Sequence, residues 1–164
     1  MPASSPWPDP VERVAAFLRE AAAEARLEEF PEGTPTARLA ALAAGCAEAD
    51  IVKSLVFLCD GVPVLVLVPG DRRADAAKVA AAAGAAKAKV AGPEDVELAT
   101  GFAPGAVAPF GLARVREVLM EQTLLGRDTV WVGAGSPKHM AGLSPAELVR
   151  LTRARPIDAV EADA

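Results

Sequence analysis

Apolar positions form two neighbouring runs in the first half of the chain, residues 51–59 and 62–68, separated only by Asp60-Gly61. Runs of this length that are rich in valine and leucine are typical of strands, and a two-residue Asp-Gly link is a strong signal for a β-hairpin. Pro63 lacks a backbone donor, so we expect it at a sheet edge or at the start of its strand. The pattern therefore predicts an antiparallel pair of largely buried strands.

A helical spacing of apolar residues appears in five other segments. Capping signals mark several of their ends: Asp9 stands before the first helix, and Thr36 stands before the second, which Gly45 follows. Ser144 and Glu147 form the pattern of a capping box at the start of the last helix. The expected helices span about 10–26, 37–44, 74–83, 93–100 and 145–153.

The remaining segments complete a mixed order of elements. Two segments rich in glycine and proline, 101–111 and 133–139, predict shaped loops, and 28–35 is a simpler loop. Because helices and strands do not alternate regularly, the pattern predicts an α+β fold. Further short strands are expected at 86–90, 114–120, 129–132 and 157–160.

The composition is that of one cytoplasmic domain. The chain has 164 residues, of which 52% are hydrophobic, and no apolar run reaches the roughly 18–20 residues that a membrane span needs. The first ten residues lack the basic and apolar segments of a secretory signal. We therefore expect a cytoplasmic protein in which Cys46 and Cys59 are small, reduced and mostly buried.

Charge is distributed unevenly around a net value of −5. Residues 1–50 carry nine acidic and four basic side chains, and 158–164 carry three acidic ones, whereas 51–157 carry thirteen basic and ten acidic ones. The acidic total argues against indiscriminate binding to nucleic acid. The modest basic excess of the central part is also what a solvated face would carry.

Most familiar catalytic arrangements are absent. His139 is the single histidine, so a metal site with two histidine ligands is excluded, and no phosphate-binding glycine loop or dinucleotide fingerprint occurs. Tyrosine is missing and aromatic residues make up 4%, which argues against binding by base stacking. What stands out is Lys53, which shares a strand face with Ile51 and Leu55. An ammonium is costly to bury alone, so Lys53 either extends its head to water or faces a polar or anionic ligand.

Four stretches, taken in order, carry a family resemblance: "TARLAALAAGC…IVKSLVF", "PGDRRAD", "ATGFAPGAVAPFG" and "VWVGAGSPKHMAGLSPAELVRLT". Together they resemble the YbaK/EbsC family, also called the prolyl-tRNA synthetase insertion-like or ProXp family of aminoacyl-tRNA editing domains. The resemblance implies a curved, barrel-like mixed β-sheet flanked by helices. It also implies a division into residues 1–29, a helix and loop packed on the domain, residues 30–160, the editing domain, and residues 161–164, an acidic tail.

The resemblance implies roles for particular residues. Lys53 matches the family's invariant lysine, whose ammonium meets the phosphate or ribose at the tRNA 3′ end, and Gly105 begins a match to the family's G-x-x-x-P loop, which holds the terminal ribose and the ester. Thr36 and Ser136 could equally be a cap and a turn residue, and some members have another residue near His139. No metal or cofactor is implied. The implied catalytic residues are Lys53 and Gly105, and the implied substrate-binding residues are Thr36, Ala106, Val107, Ala108, Pro109, Gly133, Gly135, Ser136 and His139.

The implied activity is hydrolysis of the ester between a wrong amino acid and a tRNA, by a water that substrate groups help to activate. Because no synthetase domain accompanies this chain, we expect a free-standing trans-editing hydrolase for tRNA(Pro) carrying a wrong small amino acid. Its implied partners are the aminoacyl-tRNA acceptor end and, as a further candidate, prolyl-tRNA synthetase, with no membrane. The alternative is a non-catalytic module of the same fold that binds tRNA ends or a synthetase. The sequence does not choose among alanine, cysteine, serine and threonine, or between monomer and homodimer.

Overall fold

The computed structural model describes residues 6–162, which form five α-helices and eight strands. None of the helices within this range is long and apolar enough to cross a membrane. The helices are α1 (Asp9–Glu20), α2 (Ala37–Ala44), α3 (Ala76–Ala83), α4 (Pro93–Thr100) and α5 (Pro145–Thr152). The strands are β1 (Ala25–Glu29), β2 (Val52–Cys59), β3 (Val62–Pro69), β4 (Ala88–Val90), β5 (Val118–Glu121), β6 (Val130–Gly133), β7 (His139–Leu143) and β8 (Arg155–Ile157).

The predicted hairpin is the centre of a five-stranded sheet with the order β4-β2-β3-β5-β8. Strands β2 and β3 pair antiparallel, and the turn residues Asp60 and Gly61 both have positive φ, 50° and 83°, as a tight hairpin turn requires. Pro63 lies at the start of β3, as expected. Pro63 lies opposite Leu58 in the register with β2, but its carbonyl accepts from the Arg116 N–H, so its backbone faces away from β2. On that side the register with β5 begins only at Leu65, so the missing N–H removes no ladder bond.

A second, antiparallel sheet has the order β1-β7-β6. The predicted α+β class is confirmed by these two sheets and the five helices. The expected barrel-like curvature is not confirmed: within residues 6–162 the strands form two separate sheets and no closed barrel. A single backbone bridge, between Ile51 and Trp131, connects the start of β2 to β6.

The predicted boundaries are wrong in several places, including α3 and β4, which both begin two residues later than predicted. Helix α1 ends at Glu20, not near residue 26, and residues 25–29 form β1 instead of helix and loop. Strand β7 occupies residues for which no element was predicted, β5 begins at Val118 and not at 114, and β8 lies at 155–157 and not at 157–160. The end of α1 has no glycine: Ala22 takes a positive φ of 50°, and the Ala23 N–H donates to the Leu18 carbonyl.

The helix caps agree with the sequence, with one correction. The Thr36 and Ser144 hydroxyls accept the expected N–H bonds at the starts of α2 and α5. The second half of the predicted capping box is absent, because the Glu147 carboxylate accepts from the Glu24 N–H at 2.7 Å and pairs with Arg150 instead.

The main core lies between the two sheets and α1. Val14 and Leu18 of α1 pack into it, and Phe17 stacks on Phe110 with ring centroids 5.6 Å apart. Segment 101–111 is therefore held in place by buried side chains although it has no regular structure. The division into three segments stays a prediction, and residues 163–164 of the acidic tail lie outside the described residues.

Candidate functional site

A cavity of about 340 Å³ lies beside the first half of β2. It exists there because the edge of β2 is uncovered: β4 pairs with β2 only from Phe57 to Cys59, and the bridge to β6 lies at Ile51. The start of α2 and segments 101–111 and 133–139 close the other sides. The predicted site residues that line this cavity are Thr36, Lys53, Gly105, Val107, Gly133, Ser136 and His139.

Lys53 is the second residue of β2 and is half-buried at the cavity. Its Nζ donates to the Arg72 carbonyl at 2.6 Å, so the lysine has a partner within the chain. Burial lowers the pKa of Lys53, while nearby Asp71 opposes and Arg73 reinforces the effect. Within residues 6–162 no carboxylate forms an ion pair with Lys53, so its positive charge is available to an anion.

The two glycine-rich segments lie back to back and form one wall of the cavity. The Gly135 N–H donates to the Ala106 carbonyl at 3.0 Å. A Cβ on Gly133 would lie 2.5 Å from the Val107 carbonyl oxygen, so only glycine allows this approach without a shift of the backbone. Gly105 is exposed at the rim and has a φ of 82°, with open space where a side chain would begin.

Four predicted substrate-binding residues do not line the cavity. Ala106 and Ala108 are buried, and Pro109 lies in a separate groove beside Phe17. A Cβ on Gly135 would lie 2.7 Å from the Pro10 carbonyl oxygen, so this glycine allows the loop to pack against α1. These four residues belong to the loops that form the cavity wall, but they lie away from its lining.

Ser136 and His139 form a hydrogen-bonded pair in the cavity wall. The Ser136 Oγ lies 2.6 Å from His139 Nδ1 and accepts from the Lys138 N–H at 3.0 Å. The hydroxyl oxygen keeps a second acceptor position, so the Ser136–His139 bond can run in either direction and its direction depends on the imidazole tautomer. Burial lowers the pKa of His139, against an opposing effect of Glu29, and so favours the neutral imidazole.

Thr36 has the capping role that the sequence left open. Its hydroxyl accepts from the Leu39 N–H at 3.1 Å, and the same residue lines the cavity. Sequence reasoning missed Ser54, which also lines the cavity and whose buried Oγ has no hydrogen-bond partner within the described chain. The available signal was a hydroxyl inside the apolar run 51–59.

The described residues that line the cavity include no aspartate or glutamate. Lys53 and His139 are its titratable side chains, and the loops contribute backbone amides. Such a site can hold an anion and stabilise a developing oxyanion, but it lacks a carboxylate to act as general base.

The sequence of this chain matches a family model, "Aminoacyl-tRNA editing domain", over residues 31–151. The chain belongs to this family. The predicted family is thereby confirmed, over nearly the range in which the sequence resembles it.

Among relatives of this editing domain, a proline--tRNA ligase of Nitratidesulfovibrio vulgaris (strain DP4) is 36% identical over 129 residues, which cover 78% of this chain and 22% of the ligase. The chain thus spans about a fifth of the length of that ligase. Protein YwhH of Bacillus subtilis (strain 168) is 36% identical over 121 residues, covering 73% of this chain and 76% of YwhH. A crystal structure described as that of a candidate trans-editing enzyme for prolyl tRNA synthetase superposes with a TM-score of 0.88 at 35% identity, covering 98% of this chain and all of the other.

Proposed function

We propose that this editing domain is a trans-editing aminoacyl-tRNA deacylase, which removes a wrong small amino acid from tRNA(Pro). Support comes from the family and from the likeness to the candidate trans-editing enzyme over that protein's whole length. The observation that carries the proposal is the cavity that has Lys53 and Gly105 together at its wall. Its action is expected in the cytoplasm, where tRNA is charged.

In the proposed reaction a water attacks the ester carbonyl carbon, and the bond from that carbon to the ribose oxygen breaks. The products are the free amino acid and a tRNA whose ribose hydroxyl is restored. Lys53 binds a phosphate or ribose oxygen of the 3′ end, and the backbone amides of the loop that begins at Gly105 stabilise the oxyanion. In the proposed mechanism a substrate group, the ribose hydroxyl or the α-amine, takes the proton from the attacking water; the described residues of the cavity wall include no carboxylate for this step, and His139 is the titratable protein group there that could take the proton in its place.

A deacylation screen tests the proposal. The full chain is mixed with tRNA(Pro) and tRNA(Ala) charged with alanine, cysteine, serine or threonine, and with prolyl-tRNA(Pro) as the correctly charged control. We expect hydrolysis of at least one mischarged tRNA(Pro) and protection of prolyl-tRNA(Pro). Binding of charged tRNA without hydrolysis would contradict the proposal and favour the alternative, a non-catalytic module. A pull-down with prolyl-tRNA synthetase tests that protein as a partner.

A further inference from the structure

Segment 158–161 runs beside the loop that follows β3, residues 70–75, and is bonded to it through the backbone. Two hydrogen bonds of 2.8 Å join them: the Asp75 N–H donates to the segment, and the Arg73 carbonyl accepts from it. The family model ends at residue 151, so the segment lies outside the matched range. The segment therefore fixes the course of a loop that belongs to the matched domain.

Two side chains fasten the segment to the rest of the fold. Lys78 of α3 donates from Nζ to the two carboxylate oxygens of Asp158, at 3.0 and 2.9 Å, and to the Val160 carbonyl at 2.8 Å. Glu121 of β5 is buried, and its carboxylate accepts from the Ala159 N–H at 2.9 Å. The segment is thus held between α3 and β5.

The loop in turn holds the ammonium of Lys53. Its Nζ donates to the Arg72 carbonyl at 2.6 Å, and the Arg72 guanidinium donates to the Glu161 carbonyl at 2.7 Å. An ammonium has three N–H groups, so one bond to a carbonyl in a fixed position restricts the directions of the other two. A free lysine side chain has many rotamers, and an ammonium that is held before the substrate arrives loses less entropy when it binds.

On the basis of the proposed function, we infer that Lys78 is a positioning residue that holds the Lys53 ammonium towards the 3′ end of the tRNA. It holds segment 158–161, the segment holds the loop, and the Arg72 carbonyl of the loop holds the ammonium. Among the described residues that line the cavity, neither Lys78 nor any member of the segment occurs. Lys78 therefore acts on the reaction only through Lys53.

The dependence of one substitution on another tests this inference. Single-turnover hydrolysis rates are measured for the parent, for Lys78→Met, for Lys53→Ala and for the variant that carries both, with the mischarged tRNA(Pro) that the parent hydrolyses fastest. We expect Lys78→Met to slow hydrolysis about tenfold, within the roughly one to two orders of magnitude that a single charged contact contributes. In the Lys53→Ala background the same substitution should change nothing, because the group that it positions is absent.

The chain offers a matched control and a conservative variant. Arg150 pairs with Glu147 and donates to the Ala21 carbonyl at 3.1 Å. Like Lys78, it joins a helix to a distant carbonyl, but it lies away from the cavity. We expect Arg150→Met and Lys78→Met to cause similar, small decreases in Tm, and only Lys78→Met to slow hydrolysis. Lys78→Arg keeps the positive charge beside Asp158 and should retain most of the parental rate.

Several results would overturn the inference. A parental rate for Lys78→Met, or an equal loss in Arg150→Met, would mean that the segment does not position the ammonium. The same fractional loss with and without Lys53 would mean that Lys78 acts on the stability of the whole domain. Asp158→Asn weakens the same contact from the other side and gives a second test should Lys78→Met fail to fold; an effect that is independent of Lys53 would again overturn the inference. A parent that hydrolyses no charged tRNA would refute the proposed function itself, while hydrolysis that depends on Lys53 but not on Lys78 would refute only the positioning.

Discussion

The Gly105→Ala variant distinguishes between two roles of segment 101–111, a loop that holds the substrate ester and a turn that only stabilises the fold. The residue has a φ of 82°, and a Cβ would find no atom within 4 Å, so the substitution strains the backbone but causes no clash. Left-handed backbone costs a residue with a side chain about 1–2 kcal/mol. For a domain of this size each kcal/mol lowers Tm by roughly 2–4 °C, so we expect a decrease of about 2–8 °C.

The expected effect on hydrolysis is much larger. The new methyl group lies at the rim, where the proposed reaction has the ester, and a displacement of about 1 Å can cost roughly 100-fold in rate. The chain offers a matched control, Gly84→Ala, because Gly84 also has a positive φ, 69°, and open space at its Cβ, but ends α3 away from the cavity.

Thermal denaturation and single-turnover deacylation are measured on the same preparations of both variants. We expect similar decreases in Tm and a loss of hydrolysis in Gly105→Ala alone. If Gly105→Ala retained the parental rate, or if Gly84→Ala lost activity to the same extent, the loop would not hold the ester.

Two further substitutions test the wall of the cavity and a helix contact. Gly133→Ala places a Cβ 2.5 Å from the Val107 carbonyl oxygen. We therefore expect chemical denaturation to show a loss of about 1–3 kcal/mol in unfolding free energy, and we expect slower hydrolysis. A parental unfolding free energy together with a parental hydrolysis rate would mean that the two loops do not touch. Arg150 and the Glu24 N–H lower the pKa of Glu147 to about 2 from 4.5. This stabilisation is present above pH 4.5 and is lost as pH falls towards 2, so the unfolding free energies of the parent and Glu147→Gln should differ at pH 7 and converge between pH 4.5 and 2; a constant difference would contradict the assignment.

Those parts of the fold that local chemistry determines could be predicted from the sequence. The Asp60-Gly61 turn needs two positive φ angles, and the Thr36 and Ser144 caps need one hydroxyl each, so these elements are visible in a few residues. The end of α1 was not visible, because Ala22 takes the position where glycine is usual and alanine by itself favours a helix. Strand β1 depends on pairing with β7, a contact between distant segments.

In the candidate site, too, features set by a few neighbouring residues could be predicted, whereas features that depend on distant contacts could not. Lys53 could be singled out because one charge interrupts an apolar run, and motif positions indicated Gly105 and Gly133. The family resemblance assigns all residues of a contiguous motif to substrate binding. In the structure, Ala106 and Ala108 of that motif are buried in the core and do not face the cavity. That the Ser54 Oγ lacks a hydrogen-bond partner can be recognised only from the three-dimensional positions of all surrounding donors and acceptors.

Substitution of Lys53 tests the central claim, that charged tRNA is hydrolysed in this cavity, most directly. Lys53→Ala removes the ammonium next to the proposed 3′ end, and loss of one hydrogen bond to a charged group costs about 1.5–3 kcal/mol, or roughly one to two orders of magnitude in rate. Lys89→Ala, an exposed lysine of β4 outside the cavity, is the matched control. With the mischarged tRNA(Pro) that the parent hydrolyses fastest, we expect a folded Lys53→Ala variant with a single-turnover rate reduced by that factor, and a parental rate for Lys89→Ala. A folded Lys53→Ala variant that hydrolyses every charged tRNA at the parental rate would contradict the claim.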